Sequence, residues 1–286
     1  MGSFFVLILV MAIVAAFVHD ANKAPKKAPV HTVDNNYHEV FIPAPDVHYC
    51  LVYHGSTLNL EELGIENILL KHQPYYRKLA PELQVRFATR VRSFIQRKHF
   101  IIHSDGGYKE MPVLTSAAAV QLTFGLNKYQ LPHFEYIRIH IEEYFADNSL
   151  RVLAGHVQGN TITLAWNQFL KDFATEHNGV NVGLHEMAHA LYFQHAVADM
   201  VKPKAFITHF NEIMEEGAEV YELRKESNEL YSSYAYTNLQ EFWAESVEIF
   251  FERPEDMTRC FPEIYETLKE LLNQDPLNAY WPLVEA

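Results

Sequence analysis

The run His185-Glu186-Met187-Ala188-His189 constrains this chain more than any other feature of its sequence. Residues at positions i and i+4 lie on one face of an α-helix, so a helix here would direct both imidazoles at one metal ion. The apolar residues on either side of the run predict that this helix is buried. Burial of two histidines and a glutamate is costly unless they are paired, which favours a metal site of the kind typical of zinc peptidases.

Two residues near this run have spacings that could complete a metal site. His195 follows His189 at the distance of the third histidine in metzincins. Metzincins carry glycine where this chain has Tyr192, because their chain leaves the helix sharply there, so Tyr192 argues against His195. Glu212 follows Asn211, as in the Asn-Glu pair of thermolysin-like enzymes, but a two-residue match often arises by accident.

A more distant carboxylate, Glu241, lies in a segment that resembles a known family. Residues 233–254 are similar to the second signature of the Mlc titration factor A family of zinc metallopeptidases. In that signature a tyrosine, a short Thr/Asn turn and a Gln-Glu-Phe step open a helix that ends in Phe-Phe-Glu-Arg-Pro. The resemblance spans roughly residues 65–276 and includes the segments 73–79, 162–166, 181–184, 261–265 and 274–276.

The resemblance implies a gluzincin-type site in an α+β fold. That fold would be a helix-rich, zincin-like metallopeptidase domain with a small sheet edging the cleft. His185, His189 and Glu241 would bind one Zn²⁺, and Glu186 would act as the general base. Tyr234 matches a tyrosine of the family pattern and would donate a hydrogen bond to the oxyanion.

The helix that carries Glu241 offers other carboxylates. Thr237 and Gln240 have the spacing of a capping box, so Glu241 is not needed to satisfy the start of this helix. Glu245 and Glu248 lie further along the same predicted helix and are the fallback ligands. We expect each of them either to contact a ligand residue without contacting the metal or to face solvent.

Apolar periodicity predicts several other elements. Segments 137–141 and 161–166 alternate apolar with polar or small residues, as half-buried strands do. By fold analogy, one of them would edge the cleft and hold an extended peptide by main-chain pairing. Helices are predicted to begin at Pro81 and to cover 203–216 and 239–252.

Composition supports a single catalytic domain at residues 48–286. The chain has 286 residues, 49% of them hydrophobic, which is enough to bury a substantial core without disulfides. Cys50 and Cys260 match no redox or zinc spacing, so a disulfide framework is not expected. The formal net charge of -13 argues against a nucleic-acid surface and leaves a peptide or protein as the expected partner.

The N-terminus is predicted to contact a membrane. Residues 1–22 read as a hydrophobic anchor or signal whose apolar run is shorter than the roughly 20 residues of a full span. Lys23, Lys26 and Lys27 follow this run, and positive charge tends to stay in the cytoplasm, which favours an anchor with a cytoplasmic catalytic domain. The alternative is a cleaved export signal. Residues 23–47 are rich in proline and read as a linker.

Together these patterns predict a zinc-dependent metallopeptidase in which Glu186 activates a metal-bound water. The family resemblance implies, more narrowly, an aminopeptidase. The alternative is a regulatory protein that binds a transcriptional repressor and has little or no peptidase activity, since titration of a repressor gave the family its name. The intact Glu186 favours the enzyme, because a binding protein has no need of a carboxylate beside the metal ligands.

Overall fold

The computed structural model describes the chain over residues 50–104, 108–145, 152–175, 177–200, 202–222 and 230–278. The predicted anchor at 1–22 and the linker at 23–47 lie outside these residues. Within them the chain folds as a mixed α/β structure. Cys50 and Cys260 are free and exposed, as the sequence predicts for a fold that relies on its core.

A five-stranded sheet forms one layer of the fold, in the order β1-β2-β3-β7-β6. Strands β2, β3 and β7 run parallel, while β1 and β6 pair antiparallel at the two edges. Strands β4 and β5 form a separate two-stranded ribbon. The strands are β1 (Leu51–His54), β2 (His99–His103), β3 (Tyr136–His140), β4 (Tyr144–Phe145), β5 (Val152–Leu153), β6 (Gly155–Gln158) and β7 (Thr161–Ala165).

The two strands predicted from alternation are present as β3 and β7. The expectation that one of them forms the edge is wrong, because β3 is hydrogen-bonded to β2 and β7, and β7 is hydrogen-bonded to β3 and β6. The edge strand beside β7 is β6, which turns back into β7 through Gly159. The φ of Gly159 is 58°, a left-handed conformation that glycine adopts without the steric cost other residues incur.

Helices cover both the sheet and one another. α4 begins at Pro81 and α9 spans 239–252, as predicted, whereas α8 continues beyond the predicted end at 216. In the described residues no helix is long and apolar enough to cross a membrane. The helices are α1 (Leu60–Leu63), α2 (Ile65–His72), α3 (Pro74–Lys78), α4 (Pro81–Ile95), α5 (Glu110–Thr123), α6 (Trp166–Ala174), α7 (Val182–Tyr192), α8 (Lys204–Glu222), α9 (Leu239–Glu252), α10 (Pro254–Cys260) and α11 (Pro262–Leu272).

Helix α5 lies at the centre of the core, since every side chain from Met111 to Thr123 is buried. Its small residues let α7 approach closely. A Cβ at Gly183 of α7 would stand 3.2 Å from the Cβ of Ala118 and 2.6 Å from the ring of Phe169, so only glycine fits there. Helix α7 also packs against β6, β7 and α9. This packing places the two histidines of α7 where the sheet and the helices meet.

A buried lysine ties the sheet to the loop before β3. Lys98 is 2% exposed, and its ammonium donates to the carbonyl oxygens of Gln130 at 2.8 Å, Leu131 at 2.9 Å and Phe134 at 2.6 Å. Its charge is tolerated in the interior because each proton has an acceptor. Leu131 has a φ of 47°, which is unfavourable for leucine, and the three hydrogen bonds hold the loop in that conformation.

We predict that Lys98→Met lowers the free energy of unfolding by about 3 kcal/mol, because the carbonyl oxygens of Gln130 and Phe134 would be left without a donor at a cost of about 1–3 kcal/mol each. The Leu131 carbonyl keeps the Phe134 N–H as a donor. Methionine keeps most of the apolar part of the side chain, so the loss of stability can be attributed to removal of the ammonium group. Urea denaturation measures it. Lys128→Met is the matched control, since Lys128 is largely exposed and lies 3.8 Å from Asp199. Equal stability of the two variants would contradict the role of Lys98.

Candidate metal centre

Helix α7 begins on a fixed cap. Asn181 has an extended backbone, and its Oδ1 accepts a hydrogen bond from the Leu184 N–H at 3.0 Å. The Oδ2 of Asp172 accepts from the Val182 N–H at 2.9 Å. These two side chains satisfy N–H groups that have no partner within the first turn of a helix. The start of α7, one turn before His185, is therefore held by side chains from outside the helix.

Helix α9 begins on a different cap from the one predicted. The Oδ1 of Asn238 accepts from the N–H groups of Gln240 at 2.9 Å and Glu241 at 3.0 Å. The predicted capping box of Thr237 and Gln240 is wrong, because Asn238 takes the extended cap conformation and the Thr237 hydroxyl donates to the carbonyl of Tyr234. The cap sets Glu241 in the first turn of α9.

A tryptophan joins the two helices. Trp243 is fully buried, and its indole N–H donates to the carbonyl oxygen of Ala188 at 2.8 Å. Ala188 precedes His189 on α7, and Trp243 follows Glu241 by two positions on α9. This single bond therefore fixes the first turn of α9 against the turn of α7 that carries the histidines.

The structure brings three predicted ligands together. The Oε2 of Glu241 lies 3.0 Å from the Nε2 of His185 and 3.3 Å from the Nε2 of His189, and the two Nε2 atoms are 3.2 Å apart. Ligand atoms of a tetrahedral zinc ion at usual bond lengths stand about 3.3 Å from one another. Two imidazoles and a carboxylate are also donors that zinc accepts. The set fits a metal ion, and within the described ranges it is the one group of this kind.

Glu248 supports this group from behind. Its Oε1 lies 2.6 Å from the Nδ1 of His185, and its Oε2 accepts from the Asn181 N–H at 2.5 Å. Because the carboxylate accepts the proton at Nδ1, the Nε2 of His185 is left to face Glu241 and His189. A carboxylate that fixes the tautomer and orientation of a ligand histidine is a common feature of zinc sites. Glu248 is thus placed outside the ligand group, as the sequence led us to expect.

Glu186 lies beside the group in a nearly dry environment. Its side chain is 5% exposed, and its Oε2 has no hydrogen-bond partner among the described residues. The edge strand makes room for it at Gly155. A Cβ there would stand 2.6 Å from both the Cγ and the Oε1 of Glu186, so glycine lets the carboxylate lie directly against β6.

The two carboxylates at the site have opposite pKa shifts. Burial raises the pKa of Glu186 to about 8, and the negative charges of the nearby Glu241 and Glu248 raise it further. Burial alone would also raise the pKa of Glu241, but its hydrogen bonds with His185 and His189 hold that pKa well below its usual range. Glu241 is therefore ionised, as a metal ligand must be, while Glu186 can hold a proton near neutral pH.

A cleft of about 790 Å³ opens over His185 and Glu186. Tyr234 lies at its mouth, 53% exposed, with its ring centre 6.4 Å from that of His185. The segment that carries Tyr234 is held by Glu245, which accepts from the Ser232 N–H at 3.0 Å and from the Ser232 hydroxyl at 2.6 Å. Glu245 thus positions a wall of the cleft and is not part of the ligand group.

The two alternative ligands suggested by spacing lie elsewhere. His195 is buried, with its Nδ1 2.9 Å from the Oδ2 of Asp199. It does not reach the group because the chain continues past Tyr192 into a π-helical turn at Phe193–Ala198 instead of leaving the helix. Glu212 is on α8 and pairs with its neighbour His209 at 3.0 Å.

Sequence reasoning missed three residues that shape the site. Gly155 was not singled out as a contact of Glu186, although glycine inside a strand often marks a close approach. The cap at Asn181 was also missed, although Asn just before an apolar run is a recognised start signal. Asp172 has no such signal, since its contact with Val182 depends on how α6 packs.

Comparison with known proteins agrees with this geometry. A family model described as glucose-regulated metallo-peptidase M90 matches residues 61–272. An uncharacterized protein of Synechocystis is 24% identical over 229 residues, which cover 73% of this chain and 83% of that relative. The family match includes every residue of the metal-ligand group.

We predict that Glu248→Ala weakens zinc binding by about 10- to 100-fold, because the ligand histidine loses the carboxylate that orients it. Zinc titration against a competing chelator measures the affinity. Glu248→Gln should lose less, since its amide oxygen can still accept from the Nδ1 of His185. Glu245→Gln, on the same helix and away from His185, is the control with unchanged affinity. Wild-type affinity in Glu248→Ala would disprove the positioning role.

Proposed function

We propose a peptidase function from one premise, that the chain belongs to the glucose-regulated metallo-peptidase M90 family. The protein is a zinc-dependent peptidase that hydrolyses peptide bonds with Glu186 as the general base. The observation that carries this proposal is the buried carboxylate of Glu186 beside three residues suited to bind a metal. A structural zinc site uses four protein ligands and has no need of such a carboxylate.

The residues of the site divide the chemical work. A bound zinc ion supplies Lewis acidity, which polarises the scissile carbonyl and makes water a stronger acid. Glu186 accepts a proton from the attacking water and later delivers it to the leaving amine. Burial raises the pKa of Glu186 in the metal-free chain, and the positive charge of a bound zinc ion would lower it again, so the carboxylate would be ionised when it accepts the proton.

Tyr234 is proposed as the donor to the oxyanion. A phenolic hydroxyl can donate a hydrogen bond, and Tyr234 stands at the mouth of the cleft beside His185. A donor aimed at the oxygen that gains charge stabilises the transition state more than the substrate. The bond between Ser232 and Glu245 supports this assignment by holding the tyrosine segment in place.

The edge strand β6 is proposed to align the substrate. An exposed strand edge can pair with an extended peptide through main-chain hydrogen bonds. Because Gly155 of β6 contacts Glu186, a peptide that lies along this strand passes directly over the base. This arrangement is the basis for proposing a zincin-like fold.

The narrower proposal of aminopeptidase activity rests on the family resemblance. Its competitor is the regulatory protein that binds a repressor without cleaving it. Comparison of peptides with free and acetylated N-termini separates an aminopeptidase from an endopeptidase, because only the former requires the free amine.

The first test uses the full chain and two variants. Wild type should contain one zinc ion and cleave internally quenched peptides in a chelator-sensitive manner. Glu186→Gln should keep the zinc and lose about 10²- to 10⁴-fold in kcat/KM, the usual contribution of a general base. Glu241→Ala should lose zinc, because two histidines alone hold it weakly.

The outcomes separate the alternatives. Unchanged zinc content in Glu241→Ala would refute that ligand assignment. Zinc bound by wild type without cleavage of any peptide would favour the regulatory alternative. Full activity in Glu186→Gln would exclude Glu186 as the base.

We also predict that Gly155→Ala lowers kcat/KM by about 100-fold, the loss expected when a reacting group is displaced by about 1 Å. The added methyl group must push the Glu186 carboxylate away. The control measures the free energy of unfolding in a double-mutant cycle. If the added methyl group acts by pushing on Glu186, Gly155→Ala should lower this free energy in wild type but not in a Glu186→Ala background. Equal destabilisation in both backgrounds would show that Gly155 acts on the strand and not on Glu186.

A further inference from the structure

Large apolar side chains are exposed around the cleft. Val152 is 57% exposed, Val180 49% and Tyr234 53%, and all three line the cleft over His185. We call these three residues the apolar rim. Exposed apolar residues scattered singly need no explanation, but a cluster around a cleft is typical of a binding surface.

Each member of the rim comes from a different element, next to a group of the proposed site. Val152 begins the segment that leads to Gly155, which contacts Glu186. Val180 immediately precedes Asn181, the cap of α7, on the chain that leads to His185. Tyr234 stands beside His185 itself. The rim residues therefore line the same cleft as Glu186 and His185.

Backbone contacts hold the rim in place. Val152 pairs with Phe145 across the β4-β5 ribbon, and the Val180 N–H donates to the Oδ1 of Asn178 at 2.9 Å. The Tyr234 N–H donates to the hydroxyl of Ser232 at 3.0 Å. A surface that is ordered before binding loses little entropy when a ligand arrives.

Apart from Glu186, which is proposed as the base, the charged side chains of the cleft walls are already bound to other protein groups. Asp172 caps α7, and both oxygens of Glu245 accept from Ser232. Arg253 uses its Nε and Nη2 to bind Asp256. These side chains are poorly available to a charged substrate side chain, so the apolar rim remains as the main source of selectivity.

We propose that the cleft selects peptides that carry a large apolar side chain next to the scissile bond. This proposal rests on the proposed peptidase function and names its substrate class. Discrimination follows from burial, because an apolar side chain that enters the rim leaves water while a polar one loses its hydration without gaining a partner.

The test uses internally quenched peptides of one length and one net charge that differ at a single residue. Leucine, phenylalanine, serine and asparagine are compared on either side of the cleaved bond. We expect wild type to favour leucine or phenylalanine over serine or asparagine by about 10-fold or more in kcat/KM. The Val152→Ser/Val180→Ser double variant should lose most of this ratio while it retains zinc.

A matched surface variant provides the control. Val85 on α4 is 69% exposed and does not line the cleft, so Val85→Ser should keep the wild-type ratio. Equal cleavage of apolar and polar peptides by wild type would overturn the proposal. So would an unchanged ratio in the double variant.

A binding arm separates this proposal from the proposed function. The same peptides are titrated against Glu186→Gln, whose Kd values report recognition without cleavage. Absence of cleavage in wild type together with tighter binding of apolar peptides would refute the peptidase function and support selection by the apolar rim. Cleavage without any apolar preference in kcat/KM or Kd would support the peptidase function and refute selection by the apolar rim.

Discussion

The hydrogen bond from the Trp243 indole to the carbonyl of Ala188 is the contact on which the rest of the site depends. It is buried, so no water competes for either group, and breaking it would leave the indole N–H without an acceptor in the core. It holds α9 against α7 at the turn that carries the histidines. If α9 shifted along α7, Glu241 would no longer lie within hydrogen-bond distance of His185 and His189.

A second constraint is the crowding of acidic groups around the histidines. Glu186 on α7 lies close to Glu241 and Glu248 on α9, and the mutual repulsion of the three carboxylates is offset in different ways. Glu241 and Glu248 are bound to imidazoles, while Glu186 remains buried and has a raised pKa. Two carboxylates whose environments move their pKa values apart can take different roles, one as a ligand and one as a base. The same packing that excludes water thus moves the two pKa values apart, as the two proposed roles require.

Much of the fold could be predicted from local sequence, and the errors share a cause. The bounds of α9 and the start of α4 follow from apolar periodicity and from Pro81, which are properties of a single segment. The cap of α9 was assigned to Thr237 because spacing alone does not show which of two neighbouring residues, Thr237 or Asn238, takes the extended conformation. The edge strand was misplaced because β-pairing depends on strands far apart in the chain, and the pattern within β7 is the same whether one or both sides are paired.

The sequence by itself determined the types of the candidate ligands and the pairing of His185 with His189, because the helical repeat puts positions i and i+4 on one face wherever the helix lies. Its apolar flanks also determined that this helix is buried. Tertiary structure decided which carboxylate approaches the histidines and which supports them from behind. It also decided that Glu186 rests against Gly155, because that contact joins an edge strand to a helix through close packing that no local pattern encodes.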